Sequence, residues 1–360
     1  MKLKSLSYKD TNLEITDLQL GSVNLIVGKN SSGKSMALHS IDLLIKMITQ
    51  KRTLNWGGEW DITFENDKSE KLNYKFSTSY LKQGVTFEKM LLNDNLVLVR
   101  NRKHYPDKAK IRNLLNRGQF EFIYPPDNKL ILHTNRDIKK YPFLEDITTW
   151  AEQSYGFKFG NINPYSLLNQ QEYDLLTAVE EIPTLFKSLK NEDKKSIISD
   201  FNSIGYSISD ITVQDKQEFT IIYVKENDLD KPIPHYKLSQ GMFRSLAVII
   251  YLEYLTKKKK PSTVVIDDLC EGLDFERAAK LGKLIFEKCS DNDIQLIATS
   301  NDSFLMEVVD LKNWNILIRK GKNVKGINAK LNPELIDEFR FTGLSNFDFF
   351  SSNFIKKQAI

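Results

Sequence analysis

The chain has 360 residues, a formal charge of +4 and two cysteines. That length suits one large or two ordinary domains, and the mild basicity permits a nucleic-acid partner without demanding one. Cys270 and Cys289 share no repeated spacing and give neither a disulfide framework nor a zinc site; early charges rule out a signal-peptide core, and no apolar run reaches membrane-spanning length, so a cytoplasmic location without membrane contact is expected.

Two short strands, at 3–8 and 13–18, precede an apolar run at 23–27. That run enters Gly28, Lys29, Asn30, Ser31, Ser32, Gly33, Lys34 and Ser35, which read G-x-x-x-x-G-K-S. A helix follows over 34–49, with Leu38, Ile41, Leu44 and Ile45 on its apolar face. A strand, a glycine-bearing loop and a helix in that order are what a phosphate-binding loop needs. The glycines let the backbone wind round phosphates, so that N–H groups and the helix N-terminus face the anion. Lys34 is expected against the β- and γ-phosphates, and Ser35 on Mg²⁺. Residues 28–35, with Met36 after them, are the expected nucleotide contacts.

The segment 56–60, Trp-Gly-Gly-Glu-Trp, breaks the helix. From 61 to 134 the apolar period changes to two, with strands expected at 61–64, 72–76, 85–87, 96–99, 120–124 and 130–133. The region reads as an antiparallel β-lobe. It carries a basic run, Arg100, Arg102, Lys103, Lys108, Lys110, Arg112 and Arg117, interleaved with His104 and Tyr105. Such a run either touches a phosphate backbone or is a solvated face. Helices are expected at 143–155, 173–190 and 192–203, then strands at 206–213 and 218–225.

Residues 238–244, L-S-Q-G-M-F-R, precede an apolar helix over 245–255. Ser239 reads as a helix cap and Gly241 as a point of close backbone approach, together a second anion site. A second site makes sense if it serves the nucleotide of another subunit. The run 263–268 is a buried-type strand ending in Asp267 and Asp268. Asp267 is expected to hold Mg²⁺, and Asp268 to orient or deprotonate the attacking water.

In this order, the phosphate loop, the L-S-x-G-x-x-R run, the strand ending D-D and then E-G-L-D resemble an ABC-type ATPase head. The likeness is to the branch holding SMC, RecF and OLD-like ATP-binding proteins. It implies an α/β P-loop NTPase fold whose antiparallel β-lobe and helical lobe are inserted between Walker A (28–35) and the signature (238–241). The expected division is a discontinuous core at 1–60 and 230–330, a β-lobe at 61–140, a helical lobe at 141–229 and an extension at 331–360. Asp267 and Asp268 match the Walker B pair, and Gly272, Leu273 and Asp274 the D-loop. The resemblance implies a homodimer sandwiching two ATPs with Mg²⁺, in which Ser239, Gln240, Gly241 and Asp274 contact the other subunit's nucleotide. It further implies a separate effector such as a nuclease, in DNA maintenance or antiphage defence. A DNA-binding clamp gated by ATP and a transporter's nucleotide-binding subunit are the competing readings.

Two positions depart from that pattern. The second Walker B acid is usually Glu and here is Asp268. The switch histidine expected after 295–300 is Asn301, which can bond a γ-phosphate but carries no proton at neutral pH. Both departures point to slow hydrolysis with binding intact. The glutamine of the lobe-coupling loop stays open among Gln119, Gln170 and Gln171. The segment 341–350 carries no assignable motif.

Overall fold

The computed structural model of the protein describes residues 1–54, 57–81, 84–164, 182–216 and 219–351. Trp56, Gln170, Gln171 and the first part of the helix expected at 173–190 lie outside the described residues. In chain order the strands begin with β1 (Lys2–Lys9), β2 (Glu14–Gln19), β3 (Val23–Val27), β4 (Gly58–Glu65) and β5 (Lys71–Ser79). There follow β6 (Gly84–Leu92), β7 (Asn95–Asn101), β8 (Ala109–Asn113), β9 (Gln119–Ile123) and β10 (Ser154–Lys158). The later strands are β11 (Ile208–Lys216), β12 (Phe219–Glu226), β13 (Ile233–Pro234), β14 (Ser262–Asp267), β15 (Ile294–Thr299), β16 (Trp314–Lys320) and β17 (Asn323–Asn328). Helices α1 (Lys34–Ile48), α2 (Ile131–Thr134), α3 (Pro142–Glu152), α4 (Ile182–Ser188) and α5 (Asn191–Ser203) precede α6 (Gln240–Lys258), α7 (Phe275–Asp291), α8 (Ser303–Val308), α9 (Pro333–Arg340) and α10 (Asn346–Ser351).

The chain divides into two compact units. The first holds Met1–Gly21, Gly28–Ser154 and Asn315–Asn332. Its strands run in the order β16-β17-β2-β1-β4-β5-β6-β7-β8-β9. The pairing from β4 through β9 is antiparallel throughout, as alternation of apolar and polar residues requires for a sheet with one wet face. On the buried face Trp60 stacks on Phe76 at 5.0 Å and touches Tyr8 at 4.9 Å. The Trp60 indole donates to the Ser40 carbonyl of α1 at 3.3 Å, and Phe64 meets Trp150 of α3 at 4.8 Å edge to face. Aromatic residues at every second strand position thus seat the helix that follows the phosphate loop.

Three details of this unit differ from expectation. Where a strand is expected at 130–133, Leu130 precedes helix α2, which takes up Ile131–Thr134. A four-residue apolar run has no period of its own, and here the Glu88 carboxylate accepts the Ile131 N–H at 3.0 Å, satisfying a donor of the helix start. Arg100, grouped above with the basic run, is not solvated. It lies 2% exposed, pairs with the buried Glu88 at 3.2 Å, and donates to the carbonyls of Lys129 and Pro126 at 2.9 Å each. Tyr74 donates to the same carboxylate at 2.7 Å. Burial pushes the Glu88 carboxyl up from the usual glutamate range while Arg100 pulls it down. Strand β8, within the basic run, was not anticipated.

The second unit holds Ser22–Val27, Tyr155–Trp314 and Pro333–Ile360. Its sheet runs β10-β14-β15-β3, with β14, β15 and β3 mutually parallel and buried along their whole length. Near-continuous Val and Ile runs are what parallel strands covered on both faces look like. Helix α7 covers them with Ala278, Leu281, Ile285 and Cys289, an i, i+3, i+7 stripe. Gly282 lets α8 approach: a Cβ there would lie 2.0 Å from Leu305 Cδ1. Helix α6 is buried from Met242 to Leu252, with Tyr251 against Phe157 at 4.7 Å. Strand β10 takes up residues expected to end a helix. No helix among the described residues is long and apolar enough to cross a membrane. Both cysteines are buried and free, and burial pushes the Cys289 thiol up to about 12.

Candidate nucleotide site

The 28–33 loop follows directly from the buried strand β3. Ser31 adopts φ 65° and Gly33 φ 104°, both left-handed, and the Ser32 amide donates to Lys29 O at 3.0 Å. At Gly33 this conformation favours glycine, and Val324 crowds it: a Cβ would stand 3.0 Å from that side chain. At Gly28 a Cβ would fall 2.2 Å from Ser32 Oγ and 3.0 Å from Leu317 O. The winding therefore depends on both glycines of the motif.

Lys34 is buried. Its ammonium donates to Gly28 O at 2.7 Å and to Lys29 O at 3.4 Å, so it turns back over the loop. Ser32 Oγ is buried without a hydrogen-bond partner, and Gly33 caps α1 without a side-chain bond. Buried hydroxyls are normally paired. An orphaned hydroxyl, an enclosed ammonium and uncapped helix amides in one loop fit a phosphate chain. Ser35 and Met36 are exposed on the first turn of α1. Arg319 of β16 adds a cation the sequence reading missed, donating to Ser31 O at 3.5 Å. No local signal marks it, because it lies 288 residues away.

In the second unit, β3, β14 and β15 end on one edge because they are parallel, and ligands bind at such carboxyl edges. Asp267 closes β14, buried, and its Oδ1 accepts from Thr299 Oγ1 at 2.6 Å. The same hydroxyl accepts from the Asp268 amide at 2.9 Å. Thr299, the last residue of β15, thus aims the Asp267 carboxylate and holds the backbone of Asp268. Sequence reasoning assigned it no role; a hydroxyl ending a mostly apolar strand was its only signal. Asp268 itself has φ 52°. Asp tolerates the left-handed region better than longer side chains do, which is a physical reason for Asp where Glu is usual. Asn301 is exposed, two residues beyond the end of β15.

Ser239 caps α6, its Oγ accepting from the Met242 amide at 3.2 Å. Gly241 packs on the D-loop: a Cβ there would be 2.8 Å from Leu273 Cδ2. Arg244, quoted in the motif but given no role, is the tie. It donates to Ile162 O at 3.2 Å, Glu271 O at 3.0 Å and Gly160 O. Asp274 caps α7 and accepts from the Arg277 amide at 3.1 Å and its guanidinium at 2.6 Å, which hold its carboxyl below the ordinary aspartate range. Arg277 also lies over the Tyr206 ring at 4.5 Å. Ser239, Gln240, Gly241 and Asp274 together border an open cleft of about 600 Å³. Gln119, the remaining described candidate for the coupling glutamine, opens β9 at the exposed end of the other unit's sheet. Among the described residues no cluster of His, Cys, Asp and Glu could hold a metal by itself.

These parts define an ABC-type P-loop ATPase head. An Smc head bound to the C-winged helix domain of ScpA matches with TM-score 0.57, covering 91% of this chain and 98% of that one at 13% identity. An Smc head with an extended coiled coil, bound to the C-terminal domain of ScpA and derived from Pyrococcus furiosus, matches with TM-score 0.53, covering 94% and 99% at 12% identity. Likeness at such low identity shows the fold. No curated protein sequence matches the chain. The chain belongs to the family described as "AAA domain, putative AbiEii toxin, Type IV TA system", whose model matches residues 23–307. It is accordingly an ATP-binding ATPase.

Proposed function

We propose that this ATPase is a slow switch: two copies close on ATP and so control a separate effector protein, in DNA maintenance or antiphage defence. The observation that carries the reading is the signature turn. Ser239, Gln240, Gly241 and Asp274 border an open cleft at the N-terminus of a 19-residue helix. Such an end attracts a phosphate, and a second copy's nucleotide is the ligand we assign to it.

Lys34 and the loop amides bind the β- and γ-phosphates, with Ser32 Oγ as a further donor. Mg²⁺, when bound, neutralises charge between those phosphates, and Ser35 and Asp267 are the ligands we assign to it. Thr299 fixes the Asp267 carboxylate for that task. Asp268 orients the attacking water from a side chain one bond shorter than glutamate, and a misplacement near 1 Å costs about a hundredfold in rate. Asn301 senses the γ-phosphate without sharing a proton. Turnover then falls in the range of unassisted switch NTPases, about 10⁻⁴ to 10⁻² s⁻¹.

Light scattering with a non-hydrolysable ATP analogue and Mg²⁺ tests this. The expected result is a doubled mass, lost in Ser239→Arg while nucleotide affinity persists. An unchanged mass from a monomeric start, or steady-state turnover above roughly 10 s⁻¹, overturns it. Asp268→Ala should prolong the dimer; turnover at noise level that Asp268→Ala leaves unchanged favours instead a clamp that binds without hydrolysing.

A further inference from the structure

The basic run of the β-lobe separates into spent and available charge. Arg100 is buried on Glu88, Arg102 bonds Asp127, and Arg112 donates to Gly118 O at 2.8 Å. Lys108 and Lys110 have no carboxylate partner among the described residues. Their ammonium groups lie instead 6.0 Å and 5.2 Å from the centroid of the Phe122 ring.

Phe122 belongs to a row. Phe120, Phe122 and Tyr124 are 45%, 58% and 67% exposed. Phe120 and Phe122 sit at alternate positions of β9, hence on one face, and Tyr124 follows directly after the end of the strand. The opposite face is occupied, since Glu121 accepts hydrogen bonds from Asn113 at 2.7 Å and Tyr141 at 2.8 Å. The register pairs Phe122 with Lys110 and Phe120 with Arg112, so rings and cations share the outer face. Beside them Asn101, His104 and Tyr105 help to line a cleft of about 470 Å³ with Phe122. That volume lies in the range of about 300–1,000 Å³ typical of small-ligand sites.

Two exposed rings on the last strand of a sheet, with a third just past its end, are a liability that proteins usually avoid with charge or cover. Their chemistry selects a ligand with flat apolar faces and regular negative charge. Rings at alternate strand positions stand about 7 Å apart, twice the roughly 3.4 Å rise of stacked nucleotides. Stacked duplex bases offer no free faces, whereas unpaired bases do. An acidic peptide would engage the lysines and leave the rings unused.

We propose that the outer face of β8 and β9 binds single-stranded nucleic acid, with bases stacked on Phe120, Phe122 and Tyr124 and phosphates at Lys108 and Lys110. The site rests on none of the ATPase assignments. Fluorescence anisotropy of a labelled oligo-dT of about twelve nucleotides, titrated with the full chain without ATP, tests it. Binding is expected, with competition by unlabelled single strand but not by equal duplex, polyglutamate or anionic phosphatidylserine vesicles. Phe122→Ala should weaken it roughly tenfold and Phe122→Trp restore it. Lys108→Gln and Lys110→Gln should each lower the salt slope by about 0.7. These side chains are exposed, and unchanged thermal melting of each variant verifies the fold. No binding, equal competition by duplex, peptide or vesicles, or indifference to Phe122→Ala and Phe120→Ala overturns the proposal.

Discussion

Both the 28–35 loop and the 238–244 turn deliver extended chain into the N-terminus of a long helix, with serine and glycine at the junction. In the signature turn the serine is used at once: Ser239 Oγ accepts the Met242 amide at 3.2 Å, and Arg244 satisfies three carbonyls around it. In the phosphate loop the corresponding bonds are missing. Gly33 offers no cap, Ser32 Oγ is buried without a partner, and a cation is folded over the backbone carbonyls. The signature turn is complete as protein. The phosphate loop keeps an orphaned hydroxyl and an uncapped helix start, and an anion is the ligand we assign to them. On this difference we base the expectation that the loop binds nucleotide unaided, while the signature adds contact only when another copy presents its nucleotide.

The strongest way to break that contrast is Lys34→Ala. The loop loses its enclosed ammonium, and ATP affinity should fall at least a hundredfold, about 3 kcal/mol, by calorimetry on a protein that still melts cooperatively. Tight ATP binding by the variant would mean that the signature turn, or some other surface, binds nucleotide alone.

Acid should separate the two turns next. His235, in the short turn His235–Lys237 just before the signature, is fully buried and accepts the Ile222 amide on Nδ1 at 3.3 Å. Burial lowers its pKa to about 4. The unfolded chain, with a pKa near 6.5, therefore binds the proton first. The stability that neutral His235 provides is complete above pH 6.5 and is lost as pH falls towards 4. The loss approaches about 3 kcal/mol. Urea midpoints at pH 7 and 4.5 for wild type and His235→Gln measure it: the variant keeps an acceptor but no titration, so its curve should be flatter. Equal acid sensitivity in the two proteins would remove His235 as the cause.

How much of this was legible in the sequence depends on how far apart the partners lie. The phosphate loop was readable because every part of it sits within eight residues. The signature and the acidic strand were readable as spacing too. What supports them was not: Thr299 reaches Asp267 across 32 residues, and Arg319 reaches the loop across 288. Arg100 was read with its neighbours as a surface charge, although its alternation along β7 places it opposite Glu88 on the buried face. A one-dimensional run of basic residues hides the two faces of a strand. The same blindness hid the aromatic row on β9, whose meaning appears only beside Lys108 and Lys110.

Smaller substitutions sharpen the contrast between the turns. Ser239→Ala removes a working cap and should cost about 1 kcal/mol of stability, read from the urea midpoint, with ATP affinity of the isolated chain unchanged. A variant as stable as wild type would show that the cap bond contributes nothing.

The subtlest test is the matching change in the loop, Ser32→Ala. A serine at a helix start is usually there to cap, and replacing it then costs stability. Ser32 precedes Gly33 and its hydroxyl is buried without a partner. Leaving a buried hydroxyl unsatisfied costs free energy. Removing it should leave stability unchanged or raise it by up to about 1 kcal/mol. The same change removes a donor we assign to the nucleotide's phosphates, so ATP affinity should fall several-fold. Stability and affinity therefore move in opposite directions here, whereas Ser239→Ala lowers stability and spares affinity. The urea midpoint and a calorimetric ATP titration on the same preparation decide it. If Ser32→Ala lowered stability and left ATP binding intact, the hydroxyl would be a structural cap like that of Ser239, and the two turns would not differ in the way their hydrogen bonds indicate.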